Sequence, residues 1–121
     1  MAVTVTTQNN PVATKLVVNT DTDETADTNV TGASGTIYLA EIDNTANGAV
    51  TYVKLYNTAA VTVGTTVPDL VLMVAASSSR TYAITAGIAF GTAISMAATT
   101  AGGTAGTTGP TSAVIVRLLS T

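Results

Sequence analysis

Apolar residues in this chain return at every second position. Val3 and Val5 alternate with Thr4 and Thr6, and Ile37 and Leu39 alternate with Tyr38 and Ala40. Val53 and Leu55 alternate with Tyr52, Lys54 and Tyr56; Val114, Val116 and Leu118 share one parity, with Arg117 on the other. Successive side chains of a strand point to opposite faces, so this period specifies sheets with one buried side. No stretch carries the 3.6-residue period of an amphipathic helix. Further strands are expected over Ala13–Asn19, Leu70–Val74, Thr81–Ile84, Ile88–Phe90 and Ala93–Ala98, with turn residues between them. Some eight short strands at this spacing specify an all-β sandwich or barrel.

The turn chemistry divides the chain further. Asp43-Asn44-Thr45-Ala46-Asn47-Gly48 separates two alternating runs, and Asn-Gly tolerates positive φ, so Thr36–Asn57 is expected to form a hairpin. Leu70–Val74 is a nearly continuous apolar run, the pattern of a strand buried on both faces. Asp21–Asn29 is polar and acidic, an expected exposed loop, and Thr99–Ser112 is Gly- and Thr-rich, an expected mobile loop. The expected organisation is an extended arm or short strand over residues 1–14 and one sandwich domain over 15–121.

Only 9% of the 121 residues are charged, against about 25% in a typical globular domain. Threonine, about a fifth of the chain, supplies much of the polarity; it favours strands and keeps a hydroxyl for a wet face. Outer faces made of threonine ladders are one reading. A surface suited to burial against other subunits is the sharper one, because so few charges ill suit a free monomer. Lys15, Lys54, Arg80 and Arg117 are scattered and the net charge is −3, which excludes the clustered positive field that nucleic acids require. Cysteine and histidine are absent, so there is no disulfide, no thiolate or imidazole metal ligand, and no Cys or His nucleophile system. Such a chain suits assembly in a reducing cytosol. The first residues lack a basic n-region and an apolar core, so no secretion signal is expected there. Thr81–Val116 is uncharged, but Thr85, Gly87, Gly91, Thr92 and Ser95 interrupt it, so two strands fit better than a membrane span.

Three constellations invite chemistry. Asp21, Asp23, Glu24 and Asp27 resemble a calcium loop but lack the glycine and glutamate at its sixth and twelfth positions, so a solvated loop is expected. Glu41 and Asp43 could share a strand face as an acid/base pair, yet the chain offers almost no aromatic or basic residues near them in sequence, so solvated strand-end carboxylates are expected. The Gly-rich loop has no Gly-Lys-Thr or Gly-Lys-Ser and opens no helix, so it is not a phosphate cradle. The expectation is a protein that is not an enzyme and has no cofactor and no metal. Tyr38, Tyr52, Tyr56 and Tyr82 are candidates for subunit-interface anchors, since tyrosine joins a large apolar ring to a hydroxyl.

Thr36-Ile37-Tyr38-Leu39-Ala40-Glu41-Ile42-Asp43-Asn44 and Tyr52-Val53-Lys54-Leu55-Tyr56-Asn57 together resemble the capsid cement, or decoration, proteins of tailed phages, including cyanophages. The resemblance continues through Thr62–Asp69, Leu70–Val74, Arg80–Ile84, Gly87–Phe90 and Val114–Leu118. It implies a single-domain antiparallel β-sandwich, jelly-roll-like, that assembles as a homo-oligomer, a trimer, on the outer surface of the phage head. The implied partner is the major capsid protein; nucleic acid and membrane are not. No contact motif transfers with the resemblance. The extended, uncharged arm is the candidate for the capsid contact, through Val3, Val5, Asn9 and Asn10, because such a segment can add to a sheet edge. The alternative is a tail, fibre or host-surface adhesin domain, for which the absence of tryptophan platforms leaves little support.

Overall fold

A computed structural model describes residues 2–7 and 13–121. Among the described residues, eight strands run in chain order: β1 (Val3–Thr7), β2 (Lys15–Thr22), β3 (Gly35–Asp43), β4 (Thr51–Tyr56), β5 (Leu70–Val74), β6 (Ser79–Phe90), β7 (Ser95–Thr99) and β8 (Val114–Ser120). No helix occurs among the described residues. The strands make two antiparallel sheets, a larger one in the order β1-β2-β8-β3-β6 and a smaller one in the order β5-β4-β7.

The pairings nest in sequence. β4 pairs with β5, β3 with β6, Asp27 bridges to Met96 of β7, and β2 pairs with β8. Successive pairs fall in alternate sheets, so the chain is one long hairpin wound around itself. That winding is a jelly roll. The acidic segment after β2 stands where an eighth wrapped strand would lie: Asp27 and Met96 exchange backbone hydrogen bonds of 2.9 Å, Ala98 N donates to Asp23 O, and Val30 N donates to Ile94 O.

Several expectations change here. Thr36–Asn57 is not a hairpin, because β3 lies in the larger sheet and β4 in the smaller one. Nested winding sends neighbouring strands to opposite layers, and the loop between them is a crossover. It is fixed by buried side chains instead of by an Asn-Gly turn. Asn44 Nδ2 donates to Ala49 O and Ala75 O, and Asn47 Nδ2 donates to Asn44 Oδ1 and Ser112 O. Asn47 Oδ1 in turn accepts from Ser112 N at 2.8 Å. Leu70–Val74 is also not covered on both faces. It is an edge strand on which Leu72 and Val74 are buried, while Val71 and Met73 stay 37% and 39% exposed.

The core lies between the sheets. Val17, Ile37, Ala40, Ile42, Val114, Val116 and Leu118 meet Val53, Leu55, Leu72, Val74, Met96 and Ala98 in one cluster that also holds Phe90 and Ile94. Each of its larger side chains contributes roughly 1.5–3 kcal/mol by leaving water. The strand expected at Thr81–Ile84 and the one at Ile88–Phe90 form the single strand β6. Its register against β3 jumps between Ile88 and Ala83, and Gly87 in that irregularity has φ +74°. A Cβ at Gly87 would meet Thr36 Cγ2 and lie 2.8 Å from the Tyr38 ring, so only glycine fits there.

Candidate functional site

The tyrosines do not gather into one patch. Tyr52 and Tyr56 lie on the outer face of the smaller sheet with Lys54, the parity opposite to core residues Val53 and Leu55. Two loops of the same chain cover that face. A Cβ at Gly102 would lie 2.9 Å from the Tyr52 ring, and one at Gly64 would strike Thr107 Cγ2, so the loops pack on the sheet and on each other. Ser95 Oγ donates to Thr58 O at 2.6 Å. Tyr56 is 1% exposed, and burial pushes its phenol above the ordinary range. Its ring is packed inside its own chain and offers no surface to a second subunit. Tyr82 sits across from Ala40, packs against the core, donates its hydroxyl to Met73 O and carries the Arg80 guanidinium 4.7 Å above its ring. Tyr38 lies half-buried beside Gly87. Of the four, Tyr38, Tyr52 and Tyr82 keep some exposure.

Lys54 is the residue that sequence reasoning passed over. It is wholly buried, with no carboxylate bonded to it, and its Nζ donates to Gly103 O at 2.7 Å and Gly106 O at 3.0 Å. Desolvation holds its pKa below the usual lysine value. The Gly-rich loop is thereby folded over the sheet by an ammonium group that two backbone carbonyls satisfy. A lone lysine between Tyr52-Val53 and Leu55-Tyr56 was the available signal.

The acidic segment is only partly solvated. Asp27 is 7% exposed and accepts from Asn19 Nδ2 at 2.6 Å, and burial raises its pKa against the lowering effect of that bond. Asp21, Asp23, Thr25, Ala26, Asp27 and Thr28 line an open pocket of about 360 Å³. Among the described residues, no three carboxylates are grouped so as to hold a metal ion. Glu41 and Asp43 sit two apart on β3, but each has its own partner. Arg117 Nη1 lies 3.1 Å from Glu41 Oε1, and Asp43 Oδ1 accepts from the Thr45 hydroxyl and backbone N, which lowers the Asp43 pKa.

The outer face of the larger sheet is half-buried, and it is not a threonine ladder. Leu16 of β2, Leu119 of β8 and Leu39 of β3 are cross-strand neighbours in one row. Val18, Arg117 and Glu41 form the next row, and Ile115 sits opposite Asp43 beyond it. All of these side chains are half-buried. The expected arm is already part of this sheet: Val3–Thr7 pairs with Asn19–Lys15 as the edge strand β1. Val3 packs against the core cluster and Val5 is 40% exposed; Asn9 and Asn10 lie outside the described residues.

Comparison with protein-family models, with curated proteins and with solved structures found no match to the chain in any of the three. Among the described residues, no helix is long and apolar enough to cross a membrane.

Proposed function

We propose that this protein is a virion structural protein of a tailed phage, a cement or decoration protein that binds the outside of the assembled head as a homo-oligomer and stabilises the shell. The observation that carries the reading is the half-buried aliphatic face of the larger sheet on a chain with only 9% charged residues. A jelly roll with such a surface suits burial against other proteins. The similarity of Thr36–Asn44 and Tyr52–Asn57 to phage cement proteins supplies the partner, the major capsid protein. The function is then a matter of linkage: a ligand that binds only the assembled shell shifts the equilibrium towards it, and several subunits bound together multiply a modest contact.

The capsid contact falls to β1. The geometry recasts the expected arm: β1 is already paired with β2, so its free outer edge would receive a strand from the shell. Thr20 N donates to Ala2 O, so the alternation of an antiparallel ladder turns the backbone groups of Val3, Val5 and Thr7 away from β2. Proline at Val5 removes an outward N–H that the fold does not use. Val5→Pro is expected to abolish binding to empty heads while leaving the oligomer and the fold intact; undiminished binding removes β1 from the contact.

Quantitative peptide mass spectrometry of purified virions tests the function as a whole. A copy number of the same order as the capsid protein is expected. A handful of copies points to the tail or fibre alternative, and absence from virions sinks the structural reading.

A further inference from the structure

We infer that the outer face of the five-stranded sheet is a two-fold contact with a second copy of this chain. Leu16, Leu39, Leu119, Val18 and Ile115 make its apolar centre, and Thr4, Thr6, Ser79 and Thr81 border it on the outer strands. An apolar centre inside a polar rim is the anatomy of a protein interface. The inference shares this face with the shell-binding reading but not its test, since solution mass can fail while the copy number in virions holds.

Charge selects the occupant. Arg117 and Glu41 are direct cross-strand partners within this face, and their side chains remain 42% and 43% exposed while paired. One positive and one negative group side by side are complementary to their own image after a two-fold rotation, and the face's other carboxylate, Asp43, lies at its margin and is held by Thr45. Arg117 then meets Glu41 of the partner subunit, and Glu41 meets the partner's Arg117. A partner of uniform charge would satisfy only one of the two.

Area supports it as well. Five strands at about 4.8 Å spacing and about seven residues at about 3.3 Å each make a face of about 550 Å², or about 1,100 Å² for a pair of copies. That clears the roughly 1,000 Å² expected of a specific contact. A two-fold contact is isologous and joins copies in pairs, so a three-fold ring would have to use other surfaces and be linked to the next ring through this one.

The decisive measurement is the solution mass of the full chain by sedimentation equilibrium at about 100 µM. An even-numbered assembly is expected, a dimer or a pair of trimers. Leu39→Asp is expected to halve that mass, with the far-UV circular dichroism unchanged. Because Leu39→Asp could also loosen the fold, charge reversal gives a second readout. Arg117→Glu alone should weaken pairing by about tenfold or more through like-charge contacts, and adding Glu41→Arg should restore it. A monomeric or odd-numbered wild type, a mass that Leu39→Asp leaves unchanged, or a double reversal that fails to rescue overturns the inference.

Discussion

The two sheets present their outer faces differently. The smaller sheet is roofed by its own chain: the loops after β4 and β7 lie over Tyr52, Lys54 and Tyr56, and β7 is buried along its whole length. The larger sheet keeps a row of leucines that are only half-buried. Both faces combine apolar side chains with a cation, Lys54 on one and Arg117 on the other. The difference lies in the partner of that cation. Lys54 is satisfied by two backbone carbonyls and desolvated under a loop, whereas Arg117 is paired with a carboxylate and left half-exposed. A roof turns one face into interior, while the other stays half-exposed.

Removing the post that holds the roof should give the largest effect. Lys54→Ala deletes a fully buried side chain and strands two carbonyls, and should cost about 3 kcal/mol in urea unfolding. It should also open the loop over residues 99–112 to elastase. Lys54→Met keeps the volume and separates the charge from the packing. The folded-state pKa of Lys54 lies below its unfolded value of 10.5, so between the two the unfolded chain binds more protons and stability rises with pH. Lys54→Met should remove that alkaline rise. Tyr56, whose pKa is raised, lowers stability above pH 10 in both proteins and so cancels in the difference.

A smaller effect tests the side of the roofed sheet that Asp27 closes. Its folded-state pKa is raised above 3.8, so the cost of its buried charge is complete at neutral pH and disappears below 3.8. Asp27→Asn keeps an acceptor for Asn19 and should stabilise the fold at pH 7 by about 1 kcal/mol, a gain that vanishes in acid. Asp43 acts with the opposite sign. Its lowered pKa supplies stability above 3.8 that is lost as pH falls, so the acid profile of Asp27→Asn must be read against the wild type.

The smallest expected effect is on the bare face. Leu39→Thr should change the stability of a single subunit by less than about 1 kcal/mol, because the side chain packs on one side only. Thermal unfolding at low protein concentration measures it. A cost like that of a core leucine, about 3 kcal/mol, would mean that the face is structural and would erase the contrast between the sheets.

Alternation and apolar runs located most of the strands. Val114, Val116 and Leu118 are the buried residues of β8, Leu70–Val74 is β5 to the residue, and the all-β fold follows from the absence of any helical period. Parity also held the half-buried outer face in plain view, since Ile115, Arg117 and Leu119 are the complement of the buried set. What alternation could not give is the identity of a strand's neighbours. β3 and β4 are adjacent in sequence and belong to different sheets, and Leu70–Val74 is more apolar than β4 yet sits at an edge. Sequence period fixes which side chains share a face of one strand only where the ladder is regular: Ile37 and Leu39 share a parity, yet the register shift between them puts Ile37 in the core and Leu39 on the outer face. Whether the second face meets water, a loop or another chain depends on contacts between residues far apart in sequence. For Lys54, that decision rests with Gly103 and Gly106, some fifty positions further along the chain.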